Sequence, residues 1–204
     1  MQHDITKLCA DSLRAFTLNN YGIKLKSTHA HELVATFFGY QSRAALLADT
    51  KYPLSNLRQA SILVLAPTAP IDQRRQCLEG LSPDLPDTYT LGEGAYSGLI
   101  AEKWLLSVPW PTFELLAKFL ADEYLRQQKM ENIYRAPVRE GVKIEREDDS
   151  VRLIVLRFYQ LITGSVTVRE VNVTTAIVLP RVAGHIGYAN PEISVKIEDL
   201  RALA

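Results

Sequence analysis

Apolar positions follow a helical period from residue 4 to residue 129 and a strand period from residue 142 to residue 197. Ile5, Leu8, Cys9, Leu13 and Phe16 fall three and four apart, predicting a first helix capped by Asp4 and stopped by Asn19, Asn20 and Gly22. Ser27 or Thr28 caps a second helix that carries Leu33, Val34, Phe37 and Phe38, and Gly39 supplies the positive φ of a tight reversal. Ser42 caps a third, short helix in which Ala45, Leu46 and Ala48 pack back. Residues 27–49 thus read as a hairpin of helix-turn-helix type, with Ala35 and Gly39 four apart.

The middle of the chain is less regular. Residues 61–66 read either as a short buried strand or as the end of a helix from Leu54, and Pro67 and Pro70 end them. A helix from Ile71 to Leu81 follows, with Ile71, Cys77, Leu78 and Leu81 on its apolar side, and Gly92, Gly94 and Gly98 then read as a flexible turn. Their spacing fits neither a dinucleotide loop nor a Walker motif. Leu99, Ile100, Trp104 and Leu106 predict a helix from Gly98 that Val108-Pro109-Trp110-Pro111 breaks. A long helix from Thr112 to about Lys129 carries Phe113, Leu116, Ala117, Leu120 and Tyr124, widened by Leu115 and Phe119. Glu114 with Lys118 and Asp122 with Arg126 are the expected exposed pairs, and the wide apolar face is expected against both the earlier helices and the sheet that follows.

From Val142 onward β-branched residues dominate. Residues 142–145 and 151–159 form a hairpin around Glu147-Asp148-Asp149-Ser150, and the second strand, apolar on both faces, belongs in the interior of its sheet. After a turn at Thr163-Gly164, Val166 and Val168 lie out of phase with Val171 and Val173, so a bulge near Arg169-Glu170 is expected. Residues 176–179 continue the strand to Pro180. Ile193, Val195 and Ile197 alternate as a half-buried last strand, and Glu198 to Ala204 read as a terminal helix.

The fold class is therefore α+β, an N-terminal helical region (1–135) packed on a C-terminal antiparallel β-sheet (142–204), as two domains or one continuous one. Charge adds an exclusion. Lys plus Arg and Asp plus Glu are 23 each, and residues 1–100 carry nine of each sign, so neither half is a polyanion clamp. The one local bias, six basic against three acidic residues from Arg126 to Arg146, reads as a solvated linker. Cys9 and Cys77, both in helical patterns, read as buried thiols of a reducing compartment, and with no basic leader and no apolar run near ~18 residues the reading is cytoplasmic, away from membranes.

Candidate chemistry is sparse. His29, His31 and Glu32 resemble a metal cluster on paper, yet residues two apart on a helix diverge, so Glu32 is read as favouring the helix N-terminus and no metal is assigned. The Glu147-Asp148-Asp149 turn is solvated, unlike the cleft that general acid and base groups need. Trp104 and Trp110 read as core anchors rather than ligand-stacking rings. No catalytic residues and no cofactor are assigned. In the third helix Arg43 is the only long donor, whereas base readout wants several, so Ala44, Ala45, Leu46 and Leu47 suit a protein contact better.

Leu25-Lys26-Ser27-Thr28-His29-Ala30-His31-Glu32-Leu33-Val34-Ala35, with Phe38-Gly39-Tyr40 and Ala45-Leu46-Leu47-Ala48, resembles the N-terminal helical segment of bacterial glyoxalase-related proteins and of hypothetical proteins of plasmids and integrative conjugative elements. The resemblance covers residues 24–49 and implies a mobile-element or accessory-gene setting. Glyoxalase activity is not carried over, because its metal site draws His and Glu from paired β modules and His185 is the only histidine in the strand-rich region.

The expected function is a non-enzymatic interaction or regulatory protein whose partner is another protein, with Lys24, Lys26, Gln41, Arg43 and Leu47 as the candidate surface. The alternatives are a nucleic-acid-binding regulator, in which Lys24, Lys26, Gln41 and Arg43 touch phosphates, and an enzyme whose site is assembled from residues distant in sequence.

Overall fold

A computed structural model describes residues 4–105, 109–128, 137–163 and 166–202. The fold is α+β, with every strand pairing antiparallel. The chain divides into two compact units, Met1–Pro109 with Arg181–Ala189, and Trp110–Pro180 with Asn190–Ala204.

In the first unit, α1 (Ile5–Tyr21) starts where Asp4 accepts the N–H groups of Thr6 and Lys7 and stops at Gly22 in the left-handed region. α2 (Ser27–Phe37) and α3 (Arg43–Ala48) follow, then a 3-10 helix (Leu54–Gln59), β1 (Ile62–Leu63), α4 (Thr68–Cys77) and α5 (Thr88–Ala101). β5 (Gly187–Tyr188) pairs with β1 and with the last residues of β4 (Val166–Ala183). Leu13, Leu33, Val34, Phe38, Leu63, Ile71, Leu91 and Leu99 are buried in one continuous core.

Several expectations fail here for identifiable reasons. Neither Ser27 nor Thr28 caps α2; the N-cap is Lys26, without a side-chain bond. Gly92, Gly94 and Gly98 lie inside α5 rather than in a turn. They are small because α1 is close: a Cβ at Gly94 would sit 2.6 Å from Phe16 Cδ1, and one at Gly98 would collide with Ser12 Oγ. Pro67 and Pro70 open α4 instead of ending a segment, since a missing N–H costs nothing in a first turn, and α4 stops at Cys77, whose thiol is exposed. α5 ends at Ala101, where Lys103 takes φ 54° and the Trp104 N–H returns to the Leu99 carbonyl at 2.8 Å. Trp104 is half-buried beneath the Arg58 guanidinium, 4.0 Å from the ring centre. Leu106 and Val108 lie outside the described residues.

The second unit holds α6 (Phe113–Gln127), capped by Thr112, and the strands β2 (Arg139–Arg146), β3 (Ser150–Thr163), β4 and β6 (Glu192–Ala202), in the spatial order β2-β3-β4-β6. β3 is interior, as its composition requires. α6 buries Phe113, Leu116, Ala117, Ala121 and Leu125 and packs on β2 and β3. Leu115 and Phe119 stay about half exposed, with Trp110 5.0 Å from the Phe119 ring. Charges on the sheet engage members of the expected α6 pairs, Lys118 meeting Glu140 and Asp122 meeting Arg157, while Arg126 meets Glu123 within the helix. Arg157 is buried on the inner face of β3, its Nε donating to Glu140 at 2.8 Å and its Nη1 forming an ion pair with Asp122 at 2.7 Å. A cation fits among apolar neighbours there because two carboxylates and the Lys118 carbonyl receive it.

The bulge falls near its expected place, as register shifts between Glu170 and Val171 against β6 and between Leu161 and Ile162 on β3. Pro180 does not stop β4, which runs to Ala183, and the segment after Glu198 is strand to Ala202 rather than helix. Gly164, residues 129–136 of the basic stretch, and residues 203 and 204 are outside the described residues. Among the described residues no helix is long and apolar enough to cross a membrane.

Candidate functional site

The hairpin at residues 27–49 begins as local chemistry. Gly39 takes φ 85°, its N–H bonds the Thr36 carbonyl at 2.9 Å and the Tyr40 N–H reaches the Ala35 carbonyl at 3.0 Å, so the end of α2 closes and the chain reverses. α3 then starts at Ser42, whose hydroxyl accepts the Ala45 N–H at 3.2 Å. Glu32 is not used at its own helix's first turn. It accepts the Arg43 N–H at 3.2 Å and the Arg74 guanidinium at 2.6 Å, bracing the start of α3 against α4.

The far end of α3 is held by a lock that joins distant parts of the chain. The Tyr40 hydroxyl donates to Asp49 Oδ2 at 2.7 Å, and Arg181 Nη2 donates to the Tyr40 oxygen at 3.1 Å and to Asp49. Asp49 Oδ1 also accepts the Tyr52 N–H at 3.1 Å, and the Arg181 guanidinium lies 4.5 Å from the Tyr52 ring centre. Backbone bonds seat the return from β4 on the elbow: the Gly184 N–H reaches Tyr52 O at 2.9 Å and the His185 N–H reaches Phe38 O at 3.1 Å. The His185 ring meets Tyr40 edge-on at 4.8 Å.

Electrostatics shows what the lock can do. Burial pushes against the Asp49 charge, but the Tyr40 hydroxyl, the Tyr52 N–H and Arg181 outweigh it and hold the carboxyl below its ordinary value. Burial, and then donation to Asp49, raises the Tyr40 phenol above its own, so it stays protonated. Donors and acceptors in this triad satisfy one another, which suits fastening better than proton transfer.

Two clefts flank the hairpin. One, with a volume of about 450 Å³, is lined by Tyr40, Leu46, Leu47, Asp49 and Tyr52; the other, about 570 Å³, by Thr36, Gln41, Pro67, Gln73 and Arg74. Leu47 and Gln41 therefore open onto different grooves. Lys24, Lys26, Gln41 and Arg43 are exposed, with the Lys26 ammonium close to Gly80, and Leu47 is 62% exposed. Ala45 and Ala48, expected to pack back, are exposed too; Leu46 alone anchors α3, because six residues present only one inward position. Tyr40, Asp49 and Arg181 carry no period and no motif. The nearest signal is Gly39-Tyr40, which marks the turn but not its distant partner.

Among the described residues no group of three His, Cys, Asp or Glu side chains is placed to hold a metal ion. His31 has instead a buried Nδ1 with no hydrogen-bond partner among the described residues. Burial, with the Arg43 charge beside it, lowers its pKa against the opposing pull of Asp4 and Asp11. The unfolded chain therefore binds this proton more readily, so stability present above the ordinary histidine pKa is lost as pH falls through it. Melting at about pH 5.5 is expected below melting at about pH 7.5, with part of the difference removed in His31→Gln; an equal difference in that variant would take His31 out of the account.

Comparison with protein families, with characterised proteins and with solved structures finds no match.

Proposed function

We propose that the chain is a non-enzymatic protein-interaction protein that receives another protein on the exposed side of α3, in an accessory or regulatory role. The observation that carries this reading is the division of labour in α3: Leu46 is buried while Ala44, Ala45, Leu47 and Ala48 face outward. An exposed leucine is ordinary by itself. Here it stands on a helix braced at one end by Ser42 and Glu32 and tied at the other by Tyr40, Asp49 and Arg181, so little order would be lost on docking. The resemblance of residues 24–49 to proteins of plasmids and integrative conjugative elements implies a setting in a bacterial mobile genetic element.

Leu47→Asp tests the reading, since it places a charge on the exposed face without touching the core. Immobilised wild-type protein is expected to retain a binding partner from the source cell that the equally stable Leu47→Asp protein loses by about tenfold or more. Retention of the same proteins by both would contradict it. The nucleic-acid reading rests on the exposure of Lys24, Lys26, Gln41 and Arg43, and predicts DNA binding that weakens steeply with salt and with Arg43→Ala.

A further inference from the structure

β2 is an outermost strand of the second unit and pairs with β3 over eight consecutive residues without a register shift, from Arg139↔Phe158 to Arg146↔Val151. Its other side meets no strand among the described residues. Sheets usually blunt such an edge with a bulge, a proline or charged side chains. The opposite edge, β6, has its register shift; the eight paired residues of β2 hold no bulge and no proline, Pro137 and the offset Val138 N–H bond to Phe158 O at 2.8 Å lying just before them, and their charges are of both signs.

The hairpin turn fixes which backbone groups point outward. The Glu147 N–H bonds Ser150 O at 3.0 Å, which makes residues 147 and 150 a hydrogen-bonded pair. Pairs alternate along an antiparallel ladder, so Arg139, Gly141, Lys143 and Glu145 bond β3, while Glu140, Val142, Ile144 and Arg146 aim their N–H and C=O groups away from it. We propose that this edge pairs antiparallel with the β2 edge of a second copy, across a two-fold axis at Lys143, continuing the sheet from one chain into the other.

The side chains select that register. Outward groups must meet outward groups, and only the register centred on Lys143 engages all four outward residues of both strands. It sets Glu140 opposite Arg146 and Val142 opposite Ile144, each twice, and covers two half-buried aliphatic side chains. Centred on Ile144 instead, the strands would set Glu140 against Asp148. Centred on Val142, they would set Glu140 against Ile144 and leave Arg146 opposite Val138. The selected register brings Lys143 to Lys143 at the axis, yet each ammonium is already paired with Glu145 of its own strand at 2.6 Å. Glu145 in turn faces Gly141 of the other copy, where a side chain would meet nothing within 4 Å.

Sedimentation velocity on the full chain is the first test, with a concentration-dependent shift to the mass of two chains expected by ~100 µM. Val142→Pro removes an outward N–H and leaves the bonds to β3 intact, so the variant is expected to stay folded, with unchanged circular dichroism, and to dissociate at least about tenfold more readily. The register has its own test in a Cys77→Ser background. Lys143→Cys faces its symmetry mate across a non-hydrogen-bonded pair and is expected to form an interchain disulfide on mild oxidation, whereas Arg139→Cys is not. A wild-type chain that stays monomeric at ~100 µM overturns the proposal, as does a folded Val142→Pro protein that still dimerises, or Arg139→Cys crosslinking as fast as Lys143→Cys. If Val142→Pro fails to fold, the crosslinking pair decides alone.

Discussion

Gly39→Val is expected to lower the melting temperature by roughly 10 °C or more, from two separate costs. A β-branched residue at φ 85° is strained by about 1–3 kcal/mol. Its Cβ would also sit 2.6 Å from His185 Cβ, an overlap that costs about 1–3 kcal/mol more. His185 has little freedom to retreat, because its N–H is bonded to the Phe38 carbonyl on the other side of the same elbow. Gly39→Ala keeps both the positive φ and the overlap but removes the branching, so it should fall between wild type and valine. Thermal unfolding followed by circular dichroism measures this, and a melting point unchanged in Gly39→Val would mean that the elbow does not hold the hairpin.

Asp49→Ala carries the second large effect. The Arg181 side chain is 9% exposed, and its removal from water is offset by the Asp49 carboxylate, so deleting that carboxylate leaves a buried cation under-compensated at a cost of about 3–5 kcal/mol. The Tyr40 hydroxyl loses its acceptor in the same step. Asp49→Asn, which keeps an acceptor but no charge, should cost less. The pH dependence follows from the lowered Asp49 pKa: its contribution is present above the ordinary aspartate pKa and is lost as pH falls through the folded value. Denaturant unfolding at about pH 7 and about pH 2.5 should therefore show the gap between wild type and Asp49→Asn narrowing at the lower pH, and a constant gap would assign the cost to shape rather than charge.

What could be read from the amino-acid sequence was what is local. Asp4 and Ser42 cap helices because a short polar side chain reaches its own backbone, and Gly39 makes the elbow because a left-handed residue was needed there. The phase change along β4 announced its bulge. Glycine, however, means both a turn and a small surface, and only the presence of α1 decides that Gly94 and Gly98 serve the second purpose. The buried charges were invisible for a related reason. Arg157 sits in a strand that reads as apolar, and Glu140 and Asp122, which make its burial tolerable, come from β2 and α6. The lock is farther from reach still: Arg181 lies 132 residues from Asp49, and no period links them.

The two readings of the surface are physically independent. α3 offers side chains, so its docking would be tuned by shape and apolar contact, whereas β2 offers backbone groups, so its pairing would be set by register and sensitive to a single proline. The docking reading depends on α3 being fixed before a partner arrives, and amide hydrogen exchange at Arg43, Ala45 and Leu46 tests that most directly. Their N–H groups are bonded to Glu32, to the Ser42 hydroxyl and to the Ser42 carbonyl. Slow exchange is expected at these amides in the wild-type chain and at least about tenfold faster exchange in Asp49→Ala, with α1 and α5 unchanged. Fast exchange at all three in the wild-type chain would contradict the docking reading, because a helix that opens freely presents no preformed face.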